Sequence, residues 1–356
     1  MSTDQLARRF RRLLAVYPWE HRRAYEEEML AVLLDGARPG QTRPSVGDAV
    51  NLIVGGLRAR LRVGARGFTE PAWTDAAAVT GVLVALLLFA AAGKSLIDQV
   101  VADPSLPPPM GHGGPDLVDW LRAAGWAAVG LAALTGLRWV GAGLAWAGVV
   151  GWLALVGPGI AGQPVYVIHT VPEFALALVA AAALTVPAPR RRALAVLGVR
   201  RLAVVVLAPL AAVALLELNR VTRPPFTTAP VSVQVLYGLE AQSEAVLWLY
   251  VAGLAAVSVA VLVSLATLSP AVRRRIVVML APVAALALLI DTAFAGWAVS
   301  NIHMGHPIPL VWGQWAALVL APVVAFLAGV VLVRRREETL RMVALGRTAD
   351  REQPAG

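Results

Sequence analysis

The apolar residues of this chain fall into separate blocks of about 18 to 25, at roughly 74–93, 118–136, 139–157, 170–188, 201–218, 245–268, 276–298 and 312–333. A helix of ~20 apolar residues crosses a ~30 Å hydrocarbon core, and in lipid the helix satisfies its own backbone groups. A soluble core has no use for such runs. Hydrophobic residues make up 58% of the chain and charged residues only 15%, with a mean hydropathy of +0.69. A water-soluble domain has about half and about a quarter, so these blocks are not slices of a soluble interior. The fold class expected is all-α and polytopic: a small N-terminal cytoplasmic three-helix domain followed by about eight transmembrane helices.

The basic residues orient the blocks. Segments 1–72, 137–139, 189–201, 269–275 and 334–356 hold all but four of the 31 Lys and Arg, leaving Lys94, Arg122, Arg220 and Arg223 for the other face. Positive charge marks the cytoplasmic side, and an even number of spans puts both ends there. Three regions result: a cytoplasmic helical domain over 1–72, the eight-helix membrane domain over 73–333, and a basic cytoplasmic tail over 334–356, expected to be disordered. Trp73, Trp120, Trp139, Trp248, Trp297 and Trp312 lie near block ends, where indole rings favour the headgroup region. Gly141, Ala145 and Gly148 would let neighbouring helices approach closely. The preference for Arg over Lys, with Lys94 the one lysine, suits a high-GC bacterial source and hence a bacterial cell membrane. Cysteine is absent, which excludes disulfides, thiolate metal sites and cysteine nucleophiles.

Residues 3–16 place Leu6, Phe10, Leu13, Leu14 and Tyr17 at helical spacing. Pro18 suits the first turn of a second helix, with a face of Tyr25, Met29, Val32 and Leu33 and a stop at Asp35-Gly36. Ser45 with Asp48 marks the start of a third, whose apolar stripe is Val46, Val50, Ile53, Leu57 and Leu61. Arg58, Arg60, Arg62 and Arg66 follow, able to meet anionic headgroups, so membrane lipid is one expected partner. The tyrosines are expected in the small core of this domain. Twelve Arg against eight acids in 1–72 leave a net charge too small, with lipid competing for it, to favour direct nucleic-acid binding.

Leu13-Leu14, Tyr17-Pro18, Arg22, Tyr25, Glu28-Met29 and Leu33, followed by an amphipathic helix leading into the membrane, carry a resemblance. Over about the first 60 residues the chain resembles the HTH-associated α-helical signalling domain of actinobacterial multi-pass membrane proteins, which are often encoded beside PadR-type transcriptional regulators. Glu26 stands where that pattern has a glycine. The resemblance implies a docking or signalling module, with a PadR-type regulator or another cytoplasmic protein as its partner. Independently of it, Arg22, Tyr25 and Glu28 sit at i, i+3 and i+6, so a cation, a ring and a carboxylate share one face that can dock a partner.

In the membrane region the conspicuous residues are Asp291, expected to be buried in the bundle, and its shallower counterpart Glu217; the readings are a proton, ion or substrate contact, or else a protonated acid or one paired with Arg122 near the outer interface. Leu-Ala-Pro precedes each acid, at 207–209 and 280–282, a weak sign of a duplicated hairpin. His112, His169, His303 and His306 fall in or near outer loops, with Glu173 close to His169, yet in no recognised ligand framework. No phosphate loop, dinucleotide fingerprint, HExxH helix or nucleophile elbow is present. The expectation is a non-enzymatic membrane regulator or sensor without cofactor or metal. A transporter or permease subunit with an intramembrane acidic site is the alternative, and a membrane enzyme the third reading.

Overall fold

The computed structural model describes residues 2–17, 19–37, 41–45, 47–56, 71–101, 114–187, 192–222, 233–236, 239–241, 243–303 and 307–352. The chain divides into two compact units, Met1–Trp73 and Thr74–Gly356.

The first unit contains α1 (Ser2–Leu14), α2 (Trp19–Asp35) and a third helical segment, α3, over residues 47–56. Leu6, Phe10 and Leu14 line one side of α1 and are buried against Leu30 and Leu52, with Tyr17, Met29, Leu33 and Leu34 around them. Ser45 caps α3 as its spacing predicts: its hydroxyl accepts from the Asp48 amide at 3.1 Å and donates to the Asp48 carboxylate at 2.6 Å. Gly55 and Gly56 bring α3 close to the turn between α1 and α2. A Cβ on Gly55 would lie 2.5 Å from the Tyr17 hydroxyl, and one on Gly56 would lie 2.8 Å from Val16.

Two helix faces differ from the sequence expectation. In α2 the expected Met29 and Leu33 do pack inward, with Leu30 and Leu34, whereas Tyr25 and Val32 are exposed. Leu30, Leu33 and Leu34 form an aliphatic stripe that fits the Leu6–Phe10–Leu14 side of α1, while Tyr25 would bring a hydroxyl needing a partner into it. Tyr25 is therefore not a core residue. In α3, Leu52 and Gly56 face inward and the expected stripe residues Val50 and Ile53 face outward, because the close approach runs along the glycine side. Val46, Leu57, Leu61, Pro18 and the arginines from 58 to 66 lie outside the described residues.

The second unit is an all-α polytopic bundle. Among the described residues eight helices are long and apolar enough to cross a membrane. They are α4 (Pro71–Val100), α5 (Leu117–Thr135), α6 (Arg138–Leu155), α7 (Pro164–Thr185), α8 (Arg192–Val221), α9 (Glu244–Ala266), α10 (Pro270–Ala293) and α12 (Trp312–Glu352), with the short α11 (Ala295–His303) before the last. A 3-10 turn, Gly157–Ala161, extends α6, and β1 (Val233–Leu236) pairs antiparallel with β2 (Leu239–Ala241) ahead of α9. Local chemistry sets several ends. Asp116 and Asp119 form a reciprocal capping box on α5, and Gly136 ends it with φ 86°. Ser243 and Ser269 cap α9 and α10.

The core is built around α4. Val82, Val84, Ala85 and Leu88 pack with buried residues of α5, α6 and α7, and Ala76 and Val79 pack with Leu197 of α8 and with Val272 and Ile276 of α10. Small residues permit this closeness. Gly141 and Ala145 are buried, and Gly148 lies against the Trp126 ring. Of the tryptophans expected at boundaries, Trp120, Trp139, Trp248 and Trp312 are exposed at helix starts, with Arg138 stacked over Trp139 at 4.7 Å. Trp297 instead packs inward and donates to the Ile308 carbonyl at 3.2 Å.

Three spans run well beyond their apolar blocks, α4 among them, which extends from Pro71 to Val100. The eighth does not stop at residue 333: α12 continues to Glu352, so residues 334–352 are helical rather than a disordered tail. Part of the cause is Arg275 on α10, almost wholly buried, which pairs with Glu337 of α12 at 2.8 Å. The fifth span begins at Arg192 and is broken at Gly198, whose φ of 69° suits glycine alone.

The α4–α7 contact gives a packing test. A Cβ on Gly81 would lie 2.8 Å from Leu184, so Gly81→Val is expected to cost about 1–3 kcal/mol. It should lower the thermal midpoint of the detergent-solubilised chain, whereas Gly143→Ala, with nothing within 4 Å of the added carbon, should not.

Candidate functional site

Among the described residues, a dense gathering of charge lies where α4 and α8 end. Lys94 and Asp98 are one turn apart on α4, at i, i+4, and Glu217 and Arg220 one turn apart on α8, at i, i+3, so each helix presents one cation and one acid on a single side. Lys94 Nζ contacts Asp98 and lies 2.9 Å from Glu217 Oε1. Arg220 donates to Glu217 Oε2 from Nε at 2.9 Å and from Nη2 at 2.7 Å, and its Nε is 3.3 Å from Asp98. Each cation thus touches both acids, and the four charges sum to zero.

Burial explains that balance. The side chains of Arg220 and Glu217 are only 7% and 13% exposed. An unpaired charge at such a site is expensive, and a neutral, mutually bonded set removes most of the penalty. Arg220 has a further role. Its Nη1 donates to the Val101 carbonyl and its Nη2 to the Ile97 carbonyl at 3.5 Å, so it caps the end of α4, where free carbonyls and the negative end of the helix dipole favour a cation. Beside it Asn219 is buried, and the Thr222 and Tyr250 hydroxyls meet at 3.0 Å, linking α8 to α9.

A second clamp joins the beginnings of the same two helices. Arg192 of α8 holds Asp75 of α4 in a two-pronged bond, Nε to Oδ1 and Nη2 to Oδ2, the latter at 3.1 Å. The two clamps fix α4 and α8 as parallel neighbours. From Asp75 to Lys94 the helix rises ~28 Å at 1.5 Å per residue, close to the ~30 Å of a hydrocarbon core. The two clamps are therefore separated by about the thickness of a hydrocarbon core.

Of the two intramembrane acids singled out in the sequence, Glu217 is in the cluster. Its partners are Lys94 and Arg220, not Arg122, which lies 3.9 Å from Glu173. Asp291 is exposed, in the last turn of α10, which corrects the expectation of burial: the end of the helix carries it to the bundle surface, where it needs no buried partner. Among the described residues no ion pair or hydrogen bond joins it to Glu217. The two Leu-Ala-Pro segments thus lead to dissimilar surroundings. His169 is exposed, with Nδ1 2.8 Å from the Val165 carbonyl of its own helix. The His303 side chain, His112, His306 and Arg223 lie outside the described residues. Among the described residues no three His, Asp or Glu gather as a metal site.

In the first unit, two of the three expected docking residues, Tyr25 and Glu28, lie on the outer side of α2. Tyr25 is 49% exposed, Glu28 is exposed and Arg22 half-buried. Sequence reasoning missed Lys94, Asp98 and Arg220 as companions of Glu217. The signal was present in their one-turn spacing and in the use of the single lysine, whose compact ammonium fits between two carboxylates. No family model matches the chain, and neither does any curated protein or solved structure.

Removing Arg220 leaves two acids with one cation and uncaps α4, so Arg220→Ala is expected to cost about 3 kcal/mol or more. Arg122→Ala breaks a longer, half-exposed pair and should change stability by less than about 1 kcal/mol. Thermal denaturation of the two purified variants checks the contrast.

Proposed function

We propose that the protein is a non-enzymatic regulator or sensor of the bacterial cell membrane, with both termini in the cytoplasm and an N-terminal helical unit that docks a protein partner. The observation that carries this reading is the outer side of α2. Tyr25 and Glu28 are exposed, with Arg22 beside them, on a unit that has its own core in Leu6, Phe10, Leu14, Leu30 and Leu52. Tyr25 and Glu28 are therefore presented at the surface of the unit. A ring flanked by opposite charges is a common composition for the centre of a docking surface. The resemblance of the first 60 residues to a signalling domain supports the same reading and suggests a PadR-type regulator as the kind of partner.

A transporter draws less support from the membrane region. Glu217 is engaged by Lys94 and Arg220, and Asp291 lies at the surface, so the two acids do not together line a polar path. The four-charge cluster reads as a clamp that holds α4, the helix through which the chain enters the bundle.

A photo-crosslinking residue placed at Glu28 of the full chain in cells should give a discrete protein adduct that the same residue at exposed Gln5 on α1 does not. Tyr25→Ala should reduce the adduct about tenfold, the scale of a docking hot spot, while leaving thermal stability within about 0.5 kcal/mol, as for other surface positions. Equal labelling from both positions, or a Tyr25→Ala chain that no longer folds, contradicts the docking role.

A further inference from the structure

The outward side of α3 is the most unusual surface of the first unit. Val50, Ile53 and Val54 sit at i, i+3 and i+4 and are 52%, 38% and 39% exposed, while Leu52 and Gly56 on the opposite side face inward. This helix is amphipathic in the reverse of the usual sense. Its small residues pack against the turn between α1 and α2, and its β-branched apolar residues are left outside.

What covers the stripe is indicated by the sequence that follows it. Arg58, Arg60, Arg62 and Arg66 come within ten residues with no acid before Glu70, and Pro71 then begins α4, a membrane-crossing helix. From Gly56 to Pro71 the chain can extend at most ~50 Å. The stripe is thus tethered to a bilayer, and the charge beside it is complementary to anionic headgroups. An apolar stripe with basic flanks and no length of its own to span is the pattern of a helix lying in the membrane interface, where arginines near an anionic surface add to the attraction.

We infer that the Val50–Ile53–Val54 face of α3 is a lipid-binding surface that seats at the headgroup–acyl boundary of an anionic leaflet. The face is distinct from the Arg22–Tyr25–Glu28 side of α2 and does not depend on what that side binds. A membrane is favoured over a partner protein because the tether and the arginines both point to one.

The chain has no cysteine, so single spin labels can be placed in the full-length protein by Val50→Cys, Ile53→Cys and Val54→Cys, with Glu28→Cys as a water-exposed reference. The probe is a nanodisc of phosphatidylcholine alone or with phosphatidylglycerol, and the readout is collision with oxygen against collision with a water-soluble nickel chelate. In the anionic discs the α3 labels should favour oxygen and exclude the chelate at least severalfold relative to the label at 28, and the contrast should shrink without phosphatidylglycerol. Chelate access at all three α3 positions in both lipids would overturn the inference, leaving the face in water. Exclusion of both reagents in both lipids would also overturn it, since a protein surface would then cover the stripe. Neither outcome bears on docking at α2.

Discussion

A guanidinium held between the last carbonyls of α4 and the carboxylate of Glu217 anchors the end of the helix on which the bundle packs. Most of α4 is enclosed by its neighbours, and helices α5, α6, α7, α8 and α10 all pack on it. Apolar contacts alone give weak register in a bilayer, because lipid tails are as apolar as the helices they surround. Ion pairs at both ends of α4 supply the missing register: Arg192 with Asp75 at one end, and Lys94 and Arg220 with Asp98 and Glu217 at the other. Helices α8 and α4 cannot slide or rotate past one another without opening charges at a lipid boundary. The same principle recurs where Arg275 of α10 holds Glu337 of α12, and where Arg138 donates to the Val186 carbonyl at the end of α7.

Much of the bundle was legible because lipid imposes one rule, a long apolar helix, and that rule leaves a direct trace in sequence. All eight blocks became helices at the expected places. Legibility failed where a different interaction took over. Residues after 333 look like a polar tail until Glu337 is seen to answer the buried Arg275. The fifth span lengthens back to Arg192 because that arginine has Asp75 to hold, and hydropathy records nothing of such a pair. In the first unit hydrophobic spacing located the helices and placed Met29 and Leu33 inward, but it misjudged Tyr25 and Val32 in α2 and the stripe of α3. A glycine pair set the approach of α3, and an aliphatic run outcompeted Tyr25 in α2. The four-charge cluster was half visible: Glu217 stood out as an acid in a span, whereas its three partners were hidden by lying near block ends, where charges are ordinary.

The arrangement separates two tasks. The bundle pairs its inward-facing charges internally, in the cluster at the ends of α4 and α8, between Arg192 and Asp75, and between Arg275 and Glu337. The first unit keeps chemically distinct side chains on its outside: a ring between charges on α2 and an apolar stripe on α3. A module that docks a partner on one side while lying on lipid with another would report on both, and α4 is the element through which any change would reach the bundle.

All of this depends on which side of the membrane the first unit occupies. Single cysteines introduced into the cysteine-free chain by Arg12→Cys on α1 and Gln163→Cys before α7, both exposed positions, can be probed with a membrane-impermeant maleimide. In intact cells the cysteine at 163 should react and the one at 12 should react only after the membrane is opened. Labelling of position 12 in intact cells, with 163 protected, would place the first unit outside and contradict the account.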